Sequence, residues 1–164
     1  MSLEKNKALV RRFYEEIDKG NLAALDELVA PGYINHASPP FAVSPGREGL
    51  KEVFRMGWTA TPGYHTIEDQ IAEGDKVVTR LTASGTHAGD LPGIPVTGRP
   101  ITMTAIAIHR IADGQPVEHW SATDQLGLLR QLGVASGLAP EAPRRSGSAD
   151  VTVDSGATER SRTE

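Results

Sequence analysis

The stretch "RPITMTAIAIHRIADGQPVEHWSATD", residues 99–124, decides how this chain is read. Its two arms alternate with a period of two, and Asp113-Gly114 stands between them, a dipeptide that accepts the positive φ angles of a two-residue hairpin turn. With such a turn Ala112 opposes Gln115, and counting outward pairs His109 with Glu118, Ala107 with Trp120, and Ala105 with Ala122. One face then carries Ala105, Ala107, His109, Trp120 and Asp124. The other carries Ile106, Ile108, His119, Ser121 and Thr123. Both faces have apolar character, so both need a covering. Small residues at 105, 107 and 122 leave room for a cavity, whereas Ile106, Ile108 and Val117 suit contact with a second copy of the chain. One extra residue beside the turn would reverse the relation between the strands and bring His119 inward.

Upstream, "YHTIEDQIAEGDKVVTRLTASGTH" (64–87) reads as two more strands around Gly74-Asp75, and the Gly/Pro-rich "HAGDLPGIPVTG" (87–98) as the loop joining the hairpins. The N-terminal third changes period. Leu9, Val10, Phe13, Tyr14 and Ile17 form one helical stripe, and Leu22, Leu25, Leu28 and Val29 a second, with Asn21 as its cap and Pro31-Gly32 as its end. A third helix is expected in "SPGREGLKEVFRMGW" (44–58), with Ser44 as cap, Pro45 at the first helical position, and Leu50, Val53, Phe54 and Trp58 on one side. Three helices followed by an antiparallel sheet predict an α+β domain with the helices on one face of the sheet.

At 164 residues the chain fits one domain. After Gly133 the pattern stops, and residues 134–164 are rich in Ser, Thr, Ala, Pro and mixed charge. The expected division is a folded unit over 1–133 and a disordered tail over 134–164. A formal charge of −4 without a basic cluster argues against nucleic acid. Cysteine is absent, which removes disulfides, thiolate metal sites and cysteine nucleophiles. No run approaches the roughly 18 apolar residues of a membrane span and the N-terminus is not of signal type, so a cytoplasmic location is expected. The histidines share no HxH or HxxxH spacing, so no metal site is expected. Neither a phosphate-binding loop, nor GxSxG, nor GxGxxG occurs.

The segments "NKALVRRFYEEIDKGNLAALDELVAPGYINH" (6–36) and "GTHAGDLPGIPVTGRPITMTAIAIHRIADGQPVEHWSATDQLGLLRQLG" (85–133), with the helix–sheet order, resemble the SnoaL-like polyketide cyclases, or ester cyclases, of the nuclear transport factor 2-like superfamily. The resemblance covers about residues 4–133. It implies a curved sheet wrapped by helices into a cone with a deep internal pocket, and a homodimer formed through the sheet. It also implies a cofactor-free intramolecular aldol closure of a small apolar, polyketide-like substrate. In these cyclases an aspartate near the end of the last strand acts as acid and base, and Asp124 occupies that place.

In an apolar cavity the charged form of Asp124 would be disfavoured, moving its pKa toward the range useful for taking and returning a proton. His36, His109 and Asn35 are the candidate donors to an enolate oxygen, with His36 and His109 counted among the catalytic groups. Tyr33, Phe54, Trp58 and Trp120 are candidate substrate walls. The alternative role for Asp124 is to cap the helix that follows, "QLGLLRQLG". The same chamber could open an epoxide instead, as a cyclase, hydrolase or isomerase, or serve a non-catalytic binding or carrier domain.

Overall fold

A computed structural model of the chain describes residues 2–37, 44–91 and 93–134. Helix α1 (Leu3–Asp18) starts where the Ser2 hydroxyl accepts the Lys5 N–H, and it buries Val10, Phe13, Tyr14 and Ile17 along one side. A short 3-10 turn (Leu22–Ala24) runs directly into α2 (Leu25–Leu28). Asn21 does not cap this start: its side-chain amide donates back to Glu16 at 2.6 Å instead. Strand β1 (Ile34–Asn35) and helix α3 (Gly46–Ala60) follow. Helix α3 begins one residue later than the sequence suggests. Pro45 is the residue before it, and Ser44 uses its hydroxyl and N–H to hold the Glu52 carboxylate one turn and a half inside the helix.

The sheet is built from β2 (Gly63–Glu73), β3 (Lys76–Thr86), β4 (Pro100–Ala112) and β5 (Gln115–Thr123), and α4 (Gln125–Leu132) closes the described chain. The strand order is β1-β5-β4-β3-β2, antiparallel except for the parallel β1–β5 pair, so the sheet is open with β1 and β2 at its edges. Both turns fall as expected, at Gly74-Asp75 and Asp113-Gly114, and the φ angles of Asp113 and Gly114 are 48° and 80°. The fold is α+β, with α1 laid across the inner face of the sheet, where Val77, Leu81, Ala105, Ala107 and Ile111 meet the α1 stripe in one core.

The strand register departs from the simple count. Ala112 pairs with Gln115 and Ile111 with Pro116, but Arg110 pairs with Glu118, His109 with His119 and Ala107 with Ser121. Val117 is therefore an extra residue, a bulge next to the turn. The physical reason is Pro116, which has no N–H to give to the ladder. Its carbonyl instead accepts from Ala30 at 3.1 Å, while the Ile111 N–H goes to Asp75 at 2.7 Å. The bulge inverts the faces of β5: His119 and Ser121 turn inward with Ala105, Ala107 and His109, whereas Glu118 and Trp120 turn outward with Ile106, Ile108 and Arg110. The expected inward placement of Trp120 is corrected accordingly. The expected tail, from residue 135 onward, lies outside the described residues.

Candidate functional site

Among the described residues, an apolar cavity of about 300 Å³ lies between α3, the inner ends of β2–β4 and the side of α4. Phe54 and Trp58 of α3, Met103 of β4 and Leu128 of α4 wall it, with His65 at its β2 edge. Room is left by small residues. Gly57, Gly63, Ala83 and Gly85 all line the cavity, and β2 and β3 run so close there that a Cβ on Gly85 would come 2.6 Å from the Pro62 carbonyl oxygen. Phe54 and Trp58, two of the candidate wall residues, both line this cavity.

His65 is not alone. Its Nδ1 lies 2.6 Å from Asp18 Oδ1, and its backbone N–H donates to Asp18 Oδ2 at 2.9 Å. Asp18 is the last residue of α1, so the carboxylate ties the helix end to the first residues of β2. The Tyr14 ring sits 5.2 Å from the imidazole, centre to centre. Sequence reasoning passed over both residues. The alternation that puts Ile67 inward also puts His65 inward, so half the signal was present; the partner, 47 residues away on a different element, was not.

A second polar cluster reaches into the core, with His109 buried and His119 and Asn35 half-buried. His109 and His119 lie with ring centres 4.8 Å apart, and His119 Nδ1 is 2.8 Å from Asn35 Oδ1. An amide oxygen only accepts, so His119 carries its proton on Nδ1. Burial, reinforced by the neighbouring His119, pushes the His109 pKa down to about 3, and burial with His36 pushes His119 down to about 4. Both rings are uncharged at neutral pH. Neither ring nitrogen of His109, nor the Tyr33 hydroxyl, has a hydrogen-bond partner among the described residues. Phe13 touches both His109 and Phe54 and stands between this cluster and the cavity wall; none of His109, Asn35 and Tyr33 lines the cavity.

His36 and Trp120 meet on the outer face. Their rings stack in parallel with centres 4.9 Å apart, and His36 Nε2 lies 2.8 Å from Glu118, which also accepts from Arg110 at 2.7 Å. Hydrogen bonds from His36 and Arg110 hold the Glu118 carboxyl below the usual range. Asp124 is exposed and caps α4: its Oδ1 accepts the Gly127 N–H at 2.8 Å. Glycine at 127 is what permits this approach, since a Cβ there would lie 2.1 Å from the Asp124 carboxylate. The expected gathering of Asp124, His36 and His109 around one chamber does not occur. Among the described residues, no group of three or more His, Asp or Glu is arranged to hold a metal ion, and no helix is long and apolar enough to cross a membrane.

Comparison with known proteins fits this geometry. A family model described as SnoaL-like polyketide cyclase matches residues 8–132. Nogalonic acid methyl ester cyclase of Streptomyces nogalater is 31% identical over 118 residues, 70% of this chain and 87% of the relative. Aklanonic acid methyl ester cyclase DauD of Streptomyces sp. (strain C5) is 31% identical over 131 residues, 76% of this chain and 80% of the relative. Among solved structures, TsrD from Streptomyces laurentii superposes with a TM-score of 0.73 at 35% identity, covering 82% of this chain and 98% of that one. IdmH from Streptomyces antibioticus gives 0.69 at 36%, covering 79% and 99%. A match spanning every described strand, together with the shared fold and its inner cavity, makes the conclusion direct: the chain is a SnoaL-like cyclase and belongs to the SnoaL-like polyketide cyclase family.

Proposed function

We propose that the chain closes a ring in an apolar, polyketide-derived ester by acid/base proton transfer of the intramolecular aldol type, with the substrate held between α3 and the inner face of the sheet. The observation that carries this reading is the apolar cavity of about 300 Å³, walled by Phe54 and Trp58 and reached by an ionisable imidazole. The relatives named above are cyclases of the methyl esters of nogalonic and aklanonic acid, which supports a methyl ester of this kind as substrate.

The reaction is an isomerisation. A base removes a proton from a carbon next to a carbonyl, the resulting enolate attacks a second carbonyl to form the new carbon–carbon bond, and the alkoxide takes a proton back. No electron is gained or lost, so the balance requires no cofactor. An apolar wall around the enolate strengthens each polar contact made to it. Asp124 is disfavoured as the base because its carboxylate is exposed and engaged as a helix cap. The reading extends to a homodimer through the outer face, where Ile106 is half exposed beside Ile108 and Trp120.

The test is incubation with nogalonic and aklanonic acid methyl esters, followed by chromatography for a product of unchanged mass. The expected result is such an isomer, lost when Ala83→Trp fills the cavity. Saturable binding of the esters with no product would favour the carrier reading.

A further inference from the structure

We infer that His65 is the group that moves the proton in this cavity and that Asp18 is the residue that positions it, a dyad at the junction of two chambers. The inference rests on the ring-closure reading above and names the residues that would perform it.

Three geometric facts point the same way. First, Asp18 holds His65 at two points, one carboxylate oxygen at the ring Nδ1 and the other at the backbone N–H, so both the rotamer and the distance are fixed from one side chain. Second, this leaves Nε2 as the free nitrogen. Among the described residues it makes no hydrogen bond, although the side chain is largely covered. Third, His65 belongs to two chambers at once. It lines the apolar cavity with Phe54 and Trp58, and it lines an open polar groove of about 570 Å³ on the far side, which Asp18, Lys7, Arg11 and Glu68 also border. Among the described residues, His65 is the one common to the two linings.

The chemistry follows. The Asp18 carboxylate accepts the Nδ1 proton, which fixes the tautomer whose Nε2 carries a lone pair. Nε2 takes the proton from the carbon beside the carbonyl, and the ring becomes an imidazolium whose charge Asp18 balances. After the carbon–carbon bond has formed, the imidazolium returns that proton to the alkoxide, and both enzyme groups regain their starting charge. Asp18 touches no substrate in this scheme; it acts through His65.

The test uses a general-base probe that needs no knowledge of the natural substrate. 5-Nitrobenzisoxazole loses its ring C–H proton to a base while its N–O bond breaks, which releases a coloured cyanophenolate. Wild type is expected to turn it over. His65→Gln should lower kcat by at least about 100-fold. Asp18→Asn should lower kcat at least about tenfold with KM changed less than about twofold, and Asp18→Glu should recover part of the loss. As a check independent of turnover, nitrogen-15 NMR of wild type should show His65 protonated on Nδ1, with mixed tautomers in Asp18→Asn; far-UV circular dichroism monitors folding.

A probe rate equal in wild type and His65→Gln would overturn the dyad, as would an Nε2-protonated His65 in wild type. If Ala83→Trp abolishes ring closure of the methyl esters and His65→Gln does not, the cavity reading stands and the dyad falls. If neither variant changes ring closure, both fall.

Discussion

His119, rather than Glu118, lies opposite His109, and the two uncharged rings face each other 4.8 Å apart on the inner side of the sheet. One extra residue, Val117, produces this arrangement. It turns His119 inward beside the buried His109 and sends Glu118 and Trp120 outside, and the measurable properties of the protein follow from that exchange.

The first consequence concerns pH. The folded-state pKa values of His109 and His119, about 3 and about 4, lie below the unfolded value near 6.5, so the unfolded chain binds more protons in the interval between. Stability is therefore full above pH 6.5 and is lost as pH falls toward 4, by roughly 1 kcal/mol per pH unit for each ring. Urea unfolding at pH 7 and pH 5 checks this. The double variant His109→Leu/His119→Gln should show a markedly shallower loss, and equal wild-type midpoints at both pH values would contradict the assignment.

At neutral pH the same core carries a cost. Both His109 nitrogens are buried without a partner among the described residues, and unsatisfied polar atoms of this kind cost about 1–3 kcal/mol each. His109→Leu is of similar size and removes both. It should leave stability unchanged or raise it by about 1 kcal/mol, read as a higher thermal midpoint at pH 7.5. A loss above about 2 kcal/mol would mean that the ring is satisfied after all.

Asp124 offers a clean separation of cap from catalyst. Asp124→Ala should cost about 1 kcal/mol of stability, whereas Asp124→Asn keeps an accepting oxygen for the Gly127 N–H and should cost only a few tenths. Ring closure of the methyl esters should be unchanged in Asp124→Asn when measured well below the melting temperature. A 100-fold fall in kcat would restore Asp124 to the reaction.

The outer face carries half-exposed Ile106 beside Ile108 and Trp120. If this face joins two copies, wild type should sediment as a dimer and Ile106→Lys as a monomer at micromolar concentration, because a lysine there would have to be desolvated at the interface. A monomeric wild type would remove the homodimer from the account.

Much of this fold is legible in the sequence because the signals are local. The stripe from Val10 to Ile17, the turns at Gly74-Asp75 and Asp113-Gly114, and the helix after Asp124 depend on residues within one or two turns of each other. The face of β5 was not legible from alternation alone, since a single added residue flips it; Pro116 was the visible sign that the ladder beside the turn could not be regular. The site was less legible still. Asp18 and His65 are brought together by the angle at which α1 crosses the end of β2, a tertiary property that neither segment encodes by itself. A family likeness pointed to the last strand, while the ionisable group at the cavity wall came from the first long one.

The most direct measurement is a crystal structure of the chain with nogalonic or aklanonic acid methyl ester, or its cyclised product, bound. The account predicts the rings between Phe54, Trp58 and Met103, with the carbon that loses its proton within reach of His65 Nε2. A ligand held on the outer face, or seated beside Asp124 with His65 untouched, would contradict it.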